Sequence, residues 1–98
     1  MNAKEFMMLA VGAVVDYFNK RLDTTDKGTT LNPDDVYIVW MCKTLQNNKA
    51  LLSTNVPDGM YYEFTWNGDK GEGYLDAYKK WENRVYKMAE PEAPAPAE

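Results

Sequence analysis

The sequence predicts an α+β domain in the order helix, three-stranded antiparallel β-meander, helix (αβββα), with both helices on one face of the sheet. Three observations lead there. Apolar residues recur at helical spacing over residues 3–22, β-branched and aromatic runs separated by turn residues fill 36–66, and apolar residues fall in steps of four and three from Tyr74 to Met88. At 45% apolar and 13% aromatic, the 98-residue chain can fill one small core and no more. Residues 1–89 are expected to form that single domain. Residues 90–98, Glu-Pro-Glu-Ala-Pro-Ala-Pro-Ala-Glu, are expected as a disordered tail.

Asn2 and Glu5 have the spacing of a capping box, which starts the first helix at about Ala3 and runs it to Leu22. Phe6, Met7, Ala10, Val11, Ala13, Val14, Tyr17, Phe18 and Leu22 cover an arc of about 200°, wider than a surface helix needs. Asp23 to Asp35 reads as a polar loop closed by a short helical turn at Asn32-Pro33-Asp34-Asp35, where proline and carboxylates suit a helix start. Its acids lack the alternate spacing and distal glutamate of a calcium loop.

Val36 to Leu45 is apolar at both parities through Cys42, so a strand covered on both faces is expected, with Cys42 a buried, reduced hydrophobe suited to a cytoplasmic protein. Gln46-Asn47-Asn48 makes a turn into a short strand, Lys49 to Thr54. After the turn signal Asn55 to Gly59, Met60, Tyr62, Phe64 and Trp66 alternate with Tyr61, Glu63 and Thr65, the pattern of a half-buried strand. Asn67 to Gly73 then breaks the chain before the second helix, on which Tyr74, Tyr78, Trp81, Val85 and Met88 form one stripe and Asp76 and Lys80 an i,i+4 pair.

The chain has no histidine and one cysteine, which removes Ser-His and Cys-His nucleophiles, histidine metal sites, cysteine zinc sites and an internal disulfide. No carboxylate pair has a matched acid or base beside it. The expectation is a protein that is not an enzyme and needs no cofactor or metal. Eleven bases stand against fifteen acids, three of which lie in the tail, so residues 1–89 are nearly neutral. A duplex-DNA partner, which needs a basic face, is not expected. The ten-residue apolar run Phe6 to Val15 is too short to cross a membrane, and no signal peptide is read.

Recognition remains. The binding candidates are Trp40, Tyr61 and Trp66 as aromatic platforms, Lys43, Lys49 and Lys70 near strand ends, and Asn47, Asn48, Asn67 and Asp69 in the turns. The glycines of Asn67 to Gly73 ahead of a helix have the makings of a phosphate loop, but the Gly-Lys-Ser/Thr ending is missing. With both helices on one side, the other side of the sheet is left uncovered, and a second protomer or a ligand is expected there.

The stretches Asp35-Val-Tyr-Ile-Val-Trp40, Cys42 to Thr54, Asp58-Gly-Met-Tyr-Tyr-Glu63, Asn67-Gly-Asp-Lys70 and Tyr74 to Asn83 resemble a family of small uncharacterised proteins encoded by bacteriophages and prophages. The likeness covers most of residues 1–88 and brings no active site or ligand with it. Gly71, Gly73 and the Pro-Ala tail depart from the family's usual turn and ending. The resemblance implies a non-enzymatic phage protein in the bacterial cytoplasm that binds a host protein or sequesters a small nucleotide signal to counter host defence. The competing expectation is an accessory of phage DNA replication or recombination that binds single-stranded nucleic acid.

Overall fold

The computed structural model describes residues 1–21 and 30–89. The expected helix end at Leu22, the loop through Thr29 and the tail from Glu90 lie outside these residues. Within them the order is α1 (Ala3–Lys20), a 3-10 turn (Pro33–Asp35), β1 (Val36–Thr44), β2 (Asn47–Thr54), β3 (Met60–Asn67) and β4 (Glu72–Lys79). The four strands form one antiparallel meander, β1-β2-β3-β4, with α1 packed on one face.

The capping box forms as expected: Asn2 Oδ1 accepts from the Glu5 amide at 2.8 Å, and Glu5 Oε1 accepts from the Asn2 amide at 3.0 Å. Phe6, Ala10 and Val14, four apart, are the fully buried stripe of α1. They meet Ala50, Leu52, Tyr62 and Phe64, with Phe6 and Phe64 ring centroids 5.9 Å apart. Burying side chains of this kind is worth about 1.5–3 kcal/mol each. In the last turn of α1, the Asn19 side chain holds the Leu31 backbone at both its N–H and its C=O, at 2.8 and 3.1 Å, which seats Leu31 in the core. The turn at Pro33–Asp35 follows, its Asp35 carboxylate accepting from the Asn32 amide and the Asn55 side chain.

The alternation of β3 is as expected, with Tyr62 and Phe64 buried against α1. Several expectations are corrected. The second helix is absent from the described residues: Glu72–Lys79 is a fourth strand paired along its whole length with β3, from Met60 opposite Lys79 to Asn67 opposite Glu72, and Lys80 to Ala89 has no regular structure. The αβββα order with two helices on one face is therefore replaced by one helix on a four-stranded sheet. The apolar steps of four and three at Tyr74, Tyr78, Trp81, Val85 and Met88 fit a helix, but Gly73-Tyr74 and the tyrosines favour an extended chain, and eight ladder pairs decide the matter. Asp76 and Lys80 then form no helical pair.

β1 is not covered on both faces. It is an edge strand with Val36 buried, Ile38 and Met41 half-buried, and Tyr37, Val39, Trp40 and Cys42 exposed. Cys42 is consequently at the surface and not in the core. The register slips between Ile38 and Trp40, where Val39 forms a bulge. An extra residue inverts the parity, which is why apolar residues occupy both odd and even positions. The β1–β2 turn lies one residue earlier than expected, at Leu45-Gln46, and Leu45 rather than an asparagine takes the positive φ, 56°.

Candidate interaction surface

Cross-strand partners share a face, so the ladder sorts every side chain. Toward α1 lie Val36, Ile38, Met41 and Lys43 of β1 with their partners Thr54, Leu52, Ala50 and Asn48 of β2, and beyond these Tyr62, Phe64 and Trp66 of β3. Away from α1 stands a face that no element among the described residues covers. Across its middle run Trp40, Leu51, Glu63 and Asp76; on one side of this row are Cys42, Lys49, Thr65 and Tyr74. On the other side Tyr37 sits opposite Ser53 and Tyr61 opposite Tyr78.

The bulge builds this face. By simple alternation Tyr37 and Trp40 would point to opposite sides; with Val39 looped out, both point away from α1. Tyr37, Trp40, Tyr74 and Tyr78 are exposed there, while Tyr61 and Leu51 are half-buried among them. The centre is acidic: Glu63 is directly opposite Asp76, a like-charge pairing that sheets disfavour. Lys49 Nζ lies 3.4 Å from Glu63 Oε1 and offsets part of that repulsion. At the corner the Tyr74 hydroxyl donates to Glu72, which raises the Tyr74 phenol above its usual range.

The residues singled out from the sequence divide between the two faces. Trp40, Lys49 and Tyr61 join the open face. Asn47 and Asn67 lie at its turn end, and their side chains are engaged internally: Asn47 Oδ1 accepts from the Gly68 amide, and Asn67 Oδ1 from the amides of Asp69 and Lys70. They build the turns. Lys43, Asn48 and Trp66 face α1 and line a groove of about 430 Å³ with Met1, Glu5, Gln46 and Gly68; Asn48 is buried. Asp69 and Lys70 are exposed in the β3–β4 turn. That turn leads into a strand, so the helix N-terminus that a phosphate loop requires is not there.

Tyr37, Leu51, Glu63, Tyr74, Asp76 and Tyr78 belong to the open face without having been singled out. The period-two spacing of Tyr74, Asp76 and Tyr78 was the signal available for three of them. No group of three or more metal-ligating side chains is present among the described residues.

A family model described as "Family of unknown function (DUF6275)" matches residues 7–88. The chain belongs to this family. No curated protein matches the chain, and no solved structure does. The span matched within DUF6275 takes in all four strands, the whole open face and the segment after β4 as far as Met88.

Proposed function

We propose that this DUF6275 protein is a non-enzymatic binding protein whose open sheet face is its recognition surface. The observation that carries the reading is the cluster of Tyr37, Trp40, Tyr74 and Tyr78, exposed around the Glu63–Asp76 pair on one side of a four-stranded sheet. Aromatic side chains offer large contact area at low entropic cost and are enriched in the energetic centres of interfaces. The acidic centre selects a partner surface with basic or donor groups and opposes the phosphates of duplex DNA.

The resemblance of the sequence stretches to phage and prophage proteins supports a setting in the cytoplasm of an infected bacterium, where the partner is a host protein of a defence system; the acidic centre of the face disfavours a small nucleotide signal, whose phosphates it would repel. No helix of the described residues is long and apolar enough to cross a membrane. Expressing the wild-type chain or Trp40→Ala in defence-bearing bacteria and counting plaques tests the reading: the wild type protects phage and the variant, equally folded, does not. Equal plaque counts with and without the wild-type chain would remove the defence role.

A second reading, binding of single-stranded nucleic acid, draws on Trp81 among Lys79, Lys80 and Arg84, at the end of β4 and beyond it. A gel shift on single-stranded oligonucleotides that weakens steeply with salt favours it; no shift favours the protein-binding reading.

A further inference from the structure

The segment after β4 is apolar and basic, and beyond the Lys80 amide its residues are exposed. Trp81, Val85, Tyr86 and Met88 are all exposed, Trp81 at 94% and Met88 at 82%. Lys80, Arg84 and Lys87 stand against Glu82, which lies 2.8 Å from Arg84. Both sets follow one spacing: Trp81, Val85 and Met88 are four and three apart, and so are Lys80, Arg84 and Lys87.

The open face has the complementary character, with exposed aromatic rings around Glu63 and Asp76. Lys49 reaches Glu63, and among the described residues Asp76 has no ion-pair partner. The sizes agree as well. Nine residues, at up to about 3.3 Å each, are long enough to cross the three inter-strand spacings of about 4.8 Å that set the width of this sheet.

We propose that the arm Lys80–Met88 of one copy docks on the open face of a second copy, and that the exchange is reciprocal about a two-fold axis. The proposal rests on the reading of that face as a recognition surface and names its resident occupant, which an external partner would displace. The arm's own sheet is a poor target. The Lys80 amide bonds to Gly59 O at 2.7 Å, continuing the line of β4, and Trp81 to Ala89 contains neither glycine nor proline to turn the chain back. In the docked arrangement Trp81, Val85 and Met88 cover Tyr37, Trp40 and Tyr78, while Arg84 and the lysines meet Asp76 and Glu63.

Sedimentation equilibrium on the full chain tests this with two charge-reversed variants. One carries Lys80→Glu, Arg84→Glu and Lys87→Glu in the arm, where no contact to the body is lost; the other carries Glu63→Lys and Asp76→Lys on the face. Circular dichroism confirms that each is folded. The wild type is expected as a dimer, each variant alone dissociates at least about tenfold more readily, and an equimolar mixture recovers the dimer because each acidic arm then meets a basic face. Three results overturn the proposal: a monomeric wild type, an arm variant that dimerises as well as the wild type, or two folded variants that fail to associate when mixed. Binding of a monomeric wild type to phosphatidylserine vesicles would assign the arm to an anionic membrane instead. Failure on any of these grounds leaves the plaque comparison of wild type and Trp40→Ala to decide the recognition reading separately.

Discussion

Gly73 lies against the ring of Phe64: a Cβ added at Gly73 would come within 2.5 Å of Phe64 Cζ. The ring is buried under α1 and near Phe6, so it has little room to yield. Gly73→Ala is therefore expected to cost about 1–3 kcal/mol through overpacking. Gly12 supplies the contrast. It is exposed in the middle of α1 with nothing within 4 Å of an added Cβ, and Gly12→Ala should stabilise by about 0.5–1 kcal/mol. Urea unfolding of both variants reads opposite signs; equal signs would mean that β4 does not pack as described.

Leu45 carries a left-handed backbone at φ 56° and is 84% exposed. A branched side chain in that conformation costs about 1–2 kcal/mol, and here almost no burial offsets it. Leu45→Asn relieves the strain without the unfolded-state entropy that glycine would add. A rise in melting temperature is the expected outcome, worth up to about 1 kcal/mol at the midpoint.

The glycine of β4 and the turn at Leu45 also show why part of the fold was legible and part was not. The capping box at Asn2 and Glu5, the turn at Pro33 and the alternation of β3 depend on neighbours a few residues apart, and each formed where the sequence placed it. β4 depends on a contact across the sheet. Its glycine reads locally as a breaker before a helix, yet it exists to make room for Phe64, nine residues earlier. The bulge at Val39 is likewise invisible to a parity argument, since it changes the parity itself and brings Tyr37 and Trp40 together. Trp40, Lys49 and Tyr61 were found on the open face because their residue types stand out. The acidic pair at its centre emerges from the β3–β4 register alone.

Burial, and next the Asp58 carboxylate, push the Tyr62 phenol above its usual value of 10.0. Tyr17, Phe18, Arg21, Asp58 and Met60 surround it in a cavity of about 160 Å³, and the nearby Arg21 guanidinium pulls weakly the other way. A raised value means that the folded protein holds this proton more tightly than the unfolded chain. The contribution is complete below the unfolded value, about 10, and is lost as the pH climbs from there through the folded one. Unfolding midpoints of the wild type should fall more steeply than those of Tyr62→Phe above about pH 10, with parallel curves below it. The difference between the two proteins cancels the lysines and the other tyrosines. Parallel curves throughout would show that the Tyr62 hydroxyl is as well solvated in the fold as outside it.

Cys42 turns the open face into something that can be followed directly. It is exposed, two residues from Trp40 on the same side and opposite Lys49 in the ladder. In a dilute monomer a disulfide reagent such as dithionitrobenzoate should therefore reach the native thiol nearly as fast as it reaches the thiol in denaturant. Concentrating the protein should slow the reaction as the arm of a second copy covers the neighbourhood of Trp40, and the variant with the acidic arm should show no such slowing. A bulky adduct at Cys42 should in turn weaken association while leaving the melting temperature within a few degrees of the unlabelled protein, because the thiol contributes nothing to the core. A native thiol that resists the reagent at every concentration even in the variant with the acidic arm would place a permanent cover over this side of the sheet, and both the recognition surface and its exchange between copies would then have to be abandoned.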